Sequence, residues 1–246
     1  MIQRNRSLTL LAVLTVLIAL VVTFPARIAY QWISPPHVKL SGIQGTVWSG
    51  TAREFSTNGV YLRDLTWRMQ PLQLFTGKAQ YEISGSPVSG FFESDIALGL
   101  GGTLVMTDLS ASVPLQMFAA AANVAGLSGT ASLQFERLEL VSGRATAMDG
   151  TLDVANLVVP RLGGASMGGY RAEFFTQNNG IVASIEDTDG VVDLAGSLQL
   201  NPDKSYAFLG QVVAKPNAPE SLKRQIRSLP FANDRGQHEL RVEGQY

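Results

Sequence analysis

Few residues in this chain have the types and spacing for catalysis or metal binding. Gly164-Ala165-Ser166-Met167-Gly168 matches the Gly-x-Ser-x-Gly of a hydrolytic nucleophile elbow, with His238 downstream and carboxylates between. Such an elbow exposes its serine on a sharp turn between a strand and a helix. Here Gly163 and Gly169 flank the match, and Tyr170–Phe175 alternates like a strand, so the segment reads as a glycine-rich turn. Asp187-Thr188-Asp189-Gly190 has the opening of a calcium loop, but Leu198 stands where the twelve-residue loop needs its closing Glu. Its Asp-Gly pair suits a hairpin turn, where φ > 0 is required. Gly99-Leu100-Gly101-Gly102 lacks the Gly-Lys-Ser/Thr ending of a phosphate loop and any surrounding βαβ unit, and reads as another turn.

The remaining candidates are weaker. The two histidines, His37 and His238, are far apart in sequence, and no His-x-x-x-His pair exists for zinc. Cysteine is absent, which excludes disulfides, thiolate metal sites and a cysteine nucleophile. Glu186, Asp187 and Asp189 sit at a strand end, with nothing that separates them into an acid and a base. The expectation is therefore no catalytic residue, no metal, no cofactor, and a protein that is not an enzyme.

The element around which the chain is organised lies at its N-terminus. Ser7 to Ala26 is a run of 20 residues without a charge, mostly Leu, Val, Ile and Ala. A helix needs about 20 apolar residues to cross a bilayer core. Leu10–Val22 is apolar all round, which leaves no polar face for water. A cleaved signal peptide is the alternative, but its apolar region is shorter and ends in a small-x-small site. The exit Thr23-Phe24-Pro25-Ala26-Arg27 offers no clean site of that form. Arg4 and Arg6 precede the run and only Arg27 follows it, so the positive-inside rule predicts a cytoplasmic N-terminus with the bulk outside. The resulting division is a tail over residues 1–7, a transmembrane helix over 8–26, a spacer over 27–40 and an exported β-rich domain over 41–246. Ser34-Pro35-Pro36 should stiffen the spacer. Tyr30 and Trp32 either form an interfacial aromatic belt or pack on the domain.

Composition bounds the exported part. The chain has 246 residues and net charge −1, and beyond Arg27 the balance is −4. No basic stripe exists for nucleic acid. Charged residues are only 16% and Gly numbers 24, which favours strands joined by turns. Val60–Gln70 alternates with neither face cleanly apolar, and Leu65, Trp67 and Met69 form one inward row. Tyr170–Phe175, Ile181–Glu186, Val191–Leu200, Tyr206–Val213 and His238–Glu243 read as further strands. Three phrases of the form apolar-x-Gly-Thr/Ser, at Gly129, Gly150 and Gly196, are expected to open strands in a loose repeat without the fixed period of a solenoid. Two helices are expected. Pro114–Ala125 would cap one end of the core or touch a partner or the bilayer, and Pro219–Leu229 is basic and amphipathic. The fold class is mainly β: a curved or folded antiparallel sheet with one or two short helices behind a single transmembrane helix.

Three segments resemble the type II secretion system protein N family (general secretion pathway protein N). They are Gly45-Thr46-Val47-Trp48-Ser49-Gly50 soon after the anchor, Leu65-Thr66-Trp67-Arg68-Met69-Gln70-Pro71-Leu72-Gln73-Leu74, and Leu194–Leu200 running into Asn201-Pro202-Asp203-Lys204-Ser205-Tyr206, with Gly210 and Asp234-Arg235-Gly236-Gln237 beyond. The family usually has Gly where Lys204 stands. The resemblance implies a single-pass inner-membrane protein with a periplasmic β domain. It also implies an accessory role in the export of folded proteins across the outer membrane, with other inner-membrane secretion subunits and the lipid bilayer as partners. It implies no catalytic residue. A second reading is a periplasmic lipid-binding or lipid-transfer groove of the AsmA type, with phospholipid as ligand; Leu194-Ala195-Gly196-Ser197-Leu198 is similar to a phrase of that group. A groove leaves its apolar face unfilled and a sandwich fills it, and the residues alone leave both open.

Overall fold

The computed structural model describes the chain except residues 1, 34–37, 58–59, 77–78, 88, 100–101, 120–123, 161–163, 179, 230–232, 235 and 246. The side chains of residues 2–10, 60, 75 and 76 also lie outside the description. His37, the Pro35-Pro36 pair and the tip of the Gly99–Gly102 turn thus fall outside the described residues.

Two helices come first, α1 (Ile2–Val22) and α2 (Ala26–Ile33). Pro25 separates them, since it cannot donate to the ladder of α1 and its fixed φ suits the start of α2. The large apolar side chains of α1 from Leu11 to Val22 stand 52–60% exposed. Among the described residues no helix is long and apolar enough to cross a membrane, and α1 enters that statement only from Leu11 onward. The segment expected as a spacer is helical over most of α2, and a strand already begins at Val38.

Among the described residues fourteen strands follow. They are β1 (Val38–Ser41), β2 (Gln44–Gly45), β3 (Ser49–Thr57), β4 (Val60–Met69), β5 (Ala79–Pro87), β6 (Phe91–Gly99) and β7 (Thr103–Pro114). Then come β8 (Ser128–Val141), β9 (Arg144–Val158), β10 (Tyr170–Gln177), β11 (Gly180–Asp187), β12 (Val192–Leu200), β13 (Ser205–Ala214) and β14 (His238–Gln245). All belong to one sheet in the order β1-β3-β4 and onward to β14, each strand antiparallel to the next, with β2 paired to β3. The topology is a meander in which every connection is local.

The sheet is bent by bulges, where an extra residue kinks the strand and raises its twist. One follows Arg63, and Asp64 there adopts φ 52°. It explains why neither face of Val60–Gln70 alternates cleanly. Leu62 is buried before the bulge and Met69 after it, with Leu65 and Trp67 half-buried between, so the inward row changes phase at Asp64. Others interrupt the pairings of β6 with β7 and of β8 with β9. The phrase around Gly150 therefore does not open a strand but lies inside β9, and Gly196 lies inside β12.

One apolar cluster gathers Leu109, Ala111 and Val113 of β7, Phe135 of β8, Phe174 of β10 and Ile181 of β11. Phe92 of β6 and Leu198 of β12 pack against it. Six strand spacings of about 4.8 Å separate β6 from β12 in a flat sheet, so one shared cluster requires the sheet to wrap around it. Gly150 is the register partner of both Phe135 and Phe174, whose ring centroids are 5.7 Å apart. A Cβ on Gly150 would meet Phe135 Cδ1 at 2.9 Å, so the glycine is where the aromatic pair passes. The expected helix over Pro114–Ala125 is a correction: β7 runs through Pro114, and only a 3₁₀ turn, Leu115–Phe118, follows among the described residues. Pro114 has an extended φ/ψ of −72°/133° and continues the pairing with Thr130. Leu115 and Met117 nonetheless pack against the cluster, so the turn caps the core as the helix would have. The second expected helix forms as α3 (Glu220–Arg227).

Candidate functional site

The residues singled out for chemistry are not brought together. Ser166 is exposed, forms an isolated bridge with Val158, and leads into strand β10 rather than a helix, so the nucleophile elbow is absent. His238 opens β14, and its Nδ1 lies 3.0 Å from the Leu229 carbonyl oxygen. Among the described residues no group of three His, Asp or Glu is placed to hold a metal. Asp187 ends β11 with a side chain only 10% exposed, and its Oδ2 accepts from Lys215 Nζ. Its Oδ1 accepts from the Leu194 backbone N–H at 3.1 Å. Burial pushes this carboxyl up, but the Lys215 ammonium and the Leu194 N–H outweigh it and hold it below the usual carboxylate range. The would-be calcium ligand is thus a strand-end clamp.

Two other regions have organised geometry. The first is the joint between the helices and the sheet. α1 ends when Thr23 N–H donates to the Ala19 carbonyl, and Phe24 N–H to that of Val21. The Gly45–Gly50 segment then clasps this exit. Val47 N–H donates to the Phe24 carbonyl at 3.0 Å, Pro25 bridges Thr46, and Trp48 Nε1 donates to the Val21 carbonyl at 2.7 Å. That last bond gives the Val21 carbonyl, which already accepts from Phe24 N–H, a second and shorter donor. Trp67 Nε1 donates to the Thr46 carbonyl at 3.0 Å from the neighbouring strand β4. Close packing of Trp67 also explains Gly50, where a Cβ would stand 2.4 Å from Trp67 Cζ2. Two segments singled out by family resemblance therefore meet in one structural device. The tyrosine and tryptophan of α2 divide. Tyr30 Oη donates to the Val38 carbonyl and accepts from Leu40 N–H, which ties α2 to β1 and matches the second of the two readings, packing on the domain. Trp32 is 75% exposed, and its ring lies tilted by 50° against that of Phe24 with centroids 5.3 Å apart.

The second region lies at the opposite end of the strands. An apolar cavity of about 500 Å³ opens between the concave face and α3. Leu222, Ile226 and Leu229 face it from α3 and its exit, and Val192, Leu194 and Val212 from β12 and β13. Leu115 and Met167 close it from the 3₁₀ turn and the Gly164–Gly168 turn. Tyr170 contributes its ring while its hydroxyl donates to the Met167 carbonyl at 3.2 Å, and burial pushes that phenol up. Every lining residue among those described is apolar or, like Tyr170, turns its polar atom away. Phe208 marks the boundary with the filled core. Its Cζ lies over Gly196 and Gly210, where added Cβ atoms would approach to 2.8 and 2.7 Å. The groove-or-sandwich alternative thus has a mixed answer, because the middle of the face is filled by side chains and the α3 end is not. The α3 stripe was legible as Leu222, Ile226 and Leu229; the void beneath it had no signal in the sequence.

A second cleft of about 360 Å³ shares Ile226 with the cavity. Lys215, Lys223, Arg227 and His238 line it, with no carboxylate among the described lining residues.

Comparison with known proteins follows the same outline. Residues 36–241 match the family model of the type II secretion system (T2SS), protein N, which spans the sheet from its first strand into its last. The chain is similar to the type II secretion system protein N of Vibrio cholerae serotype O1, with 26% identity over 92% of this chain and 93% of that protein. It is similar to the proteins of the same name from Aeromonas hydrophila, at 22% over 92% of each chain, and Pectobacterium carotovorum, at 21% over 89% of each. No solved structure matches it. The chain belongs to the type II secretion system protein N family.

Proposed function

We propose that this protein is an accessory inner-membrane component of the type II secretion system. In this reading residues 8–26 cross the inner membrane with the N-terminus in the cytoplasm. The β domain then stands in the periplasm and supports export of folded proteins across the outer membrane. The observation that carries the reading is the joint at Gly45–Gly50. A tether that only retained the domain would need no contact with it beyond the peptide chain. Here Trp48 and Val47 bond to the last carbonyls of α1 and its exit, so the helix is clasped against the sheet. Trp32 and Ile33, both over 70% exposed, stand just beyond the same exit, as do the exposed Leu72 and Leu74 in the turn after Met69, whose N–H donates to the Trp48 carbonyl. Exposed apolar side chains around a helix exit suit the headgroup layer. The proposed role is positional rather than catalytic. It presents a domain of fixed orientation to the other inner-membrane secretion subunits.

The test is to replace residues 1–26 with a cleavable signal peptide and measure secretion. A soluble, folded periplasmic domain that fails to restore secretion is expected; full secretion overturns the tether. Trp48→Ala in the intact chain separates orientation from retention, with membrane location kept and secretion reduced.

A further inference from the structure

Carbon surrounds the cavity beneath α3, while a cluster of cations stands at one edge of it. Its volume of about 500 Å³ falls within the ~300–1,000 Å³ range of small-molecule sites. The pocket is open on one side, and there its apolar lining lacks the dispersion contacts that a ligand would supply. A polar metabolite would bury groups that no lining residue can satisfy, which is costly. An alkyl chain carries no such groups. The neighbouring cleft specifies the other end of the ligand. Lys215 is engaged by Asp187 and Lys223 by Glu220, yet an ammonium has three donors, so each retains capacity. Arg227 has no ion pair or hydrogen bond from its side chain among the described residues, and its five donors match a phosphate or carboxylate fork. Ile226 lines both spaces, so a molecule passing over this one side chain reaches from carbon to cations.

We infer that the cavity binds one acyl chain of an anionic lipid, whose headgroup is held in the adjoining cleft by Lys223, Arg227 and His238. α3 supplies both halves of this site. Leu222 and Ile226 turn toward the tail, and Lys223 and Arg227 lie on the flank that meets the head. The site is independent of the secretion role and lies at the far end of the strands from the α1 joint, so its ligand is distinct from lipid around the anchor.

The experiment uses the full chain in detergent. Phosphatidylglycerol and phosphatidylcholine, each with a photoreactive diazirine at the end of one acyl chain, are offered separately, and adducts are mapped by peptide mass spectrometry. Adducts on peptides containing Leu194, Val212 and Ile226 are expected, with phosphatidylglycerol labelling at least about fivefold more, roughly one charged contact. A diazirine-bearing palmitate distinguishes a carboxylate head from a phosphodiester one. Arg227→Glu should abolish the preference for the anionic lipid while cavity adducts from phosphatidylcholine remain. Leu194→Trp, which fills the void, should remove cavity adducts and leave those on residues 8–26. Adducts confined to residues 8–26 in the wild type overturn the acyl site, and equal labelling by the two lipids overturns the headgroup assignment. The wild-type map decides the matter even where Leu194→Trp fails to fold.

Discussion

The concave face of the sheet is built twice from the same alternating pattern, with opposite results. Around Phe135 and Phe174 the apolar side chains close on one another, beside a cleft of about 740 Å³ whose lining mixes them with polar residues such as Asp108, Gln134 and Glu173. Small residues, Ala111, Ala131 and Ala183, let the two rings and Ile181 close against one another, and Ile181 is 1% exposed. Beneath α3 the face is a shell. Val192, Val212, Leu222 and Ile226 pack into one buried cluster with Leu194 against it, yet an apolar pocket of about 500 Å³ stays open beside them. Hydrophobic burial alone would close both, since apolar area removed from water contributes roughly 25 cal/mol per Å² wherever it lies. The difference is a matter of reach. In the first region rings from β8 and β10 meet across the glycine at Gly150. In the second, the covering element is a short helix whose aliphatic side chains pack on Val192 and Val212 without filling the space beside them. Alternation makes a face apolar; side-chain length against the separation of layers decides whether that face is a core or a container.

Substitutions can break or sharpen this contrast. Phe174→Ala in the solid region should cost about 3–5 kcal/mol, because it opens a new cavity in a packed site. Val212→Ala in the shell should cost about 1–2 kcal/mol, close to the transfer contribution alone, since the void already exists. Urea unfolding of the two variants checks the ordering, and equal losses would mean that the space beneath α3 collapses in solution. Gly196→Ala should cost about 1–3 kcal/mol by overpacking. The new Cβ would stand 2.8 Å from both Phe208 Cζ and the Leu209 carbonyl oxygen, and a shifted Phe208 ring would change near-ultraviolet circular dichroism.

Asp187→Asn probes the clamp beside the shell and should cost about 1 kcal/mol at pH 7, because Lys215 is partly exposed and its pairing is screened. The sign with pH follows from the lowered carboxyl. Its contribution is fully present above the unfolded value of about 3.9 and is lost as pH falls from there through the lower folded value. Wild type and variant should therefore converge in stability below that window, and a constant difference down to the most acid conditions would refute the clamp. The smallest effect is expected at Lys204, which holds φ 68° in the turn between β12 and β13. Lys204→Gly should stabilise by up to about 1 kcal/mol, the relief of left-handed strain less the added freedom of the unfolded chain. Thermal denaturation reads it, and a lowered Tm would show that the Lys204 side chain contributes elsewhere.

Much of the scaffold was legible. Strands β10 to β14 and helix α3 follow from alternation, Asn-Gly and Asp-Gly turns and a three-residue apolar stripe, all of which are local in sequence. The errors have a common origin. Val60–Gln70 looked ambiguous because the bulge at Asp64 changes the phase of the inward row, and an alternation rule assumes constant phase. Gly150 and Gly196 read as strand openers because glycine punctuates turns. Inside their strands both instead lie against the backbone and an aromatic ring of a neighbouring strand, Phe135 at Gly150 and Phe208 at Gly196, and a Cβ would clash with both. Pro114 suggested a helix start, and the pairing with β8 kept it extended.

By itself, the sequence determined the apolar N-terminal run, the β-rich character of the rest, the family, and the lack of any recognisable catalytic constellation, because each depends on residue type and local spacing. Only the tertiary structure decided three things. Trp48 and Trp67 clasp the end of α1, the Asp187 carboxylate serves Lys215 rather than an ion, and the apolar face is filled at one end and hollow at the other. Each depends on distances between strands far apart in the chain, which the bending of the sheet sets and no local pattern records.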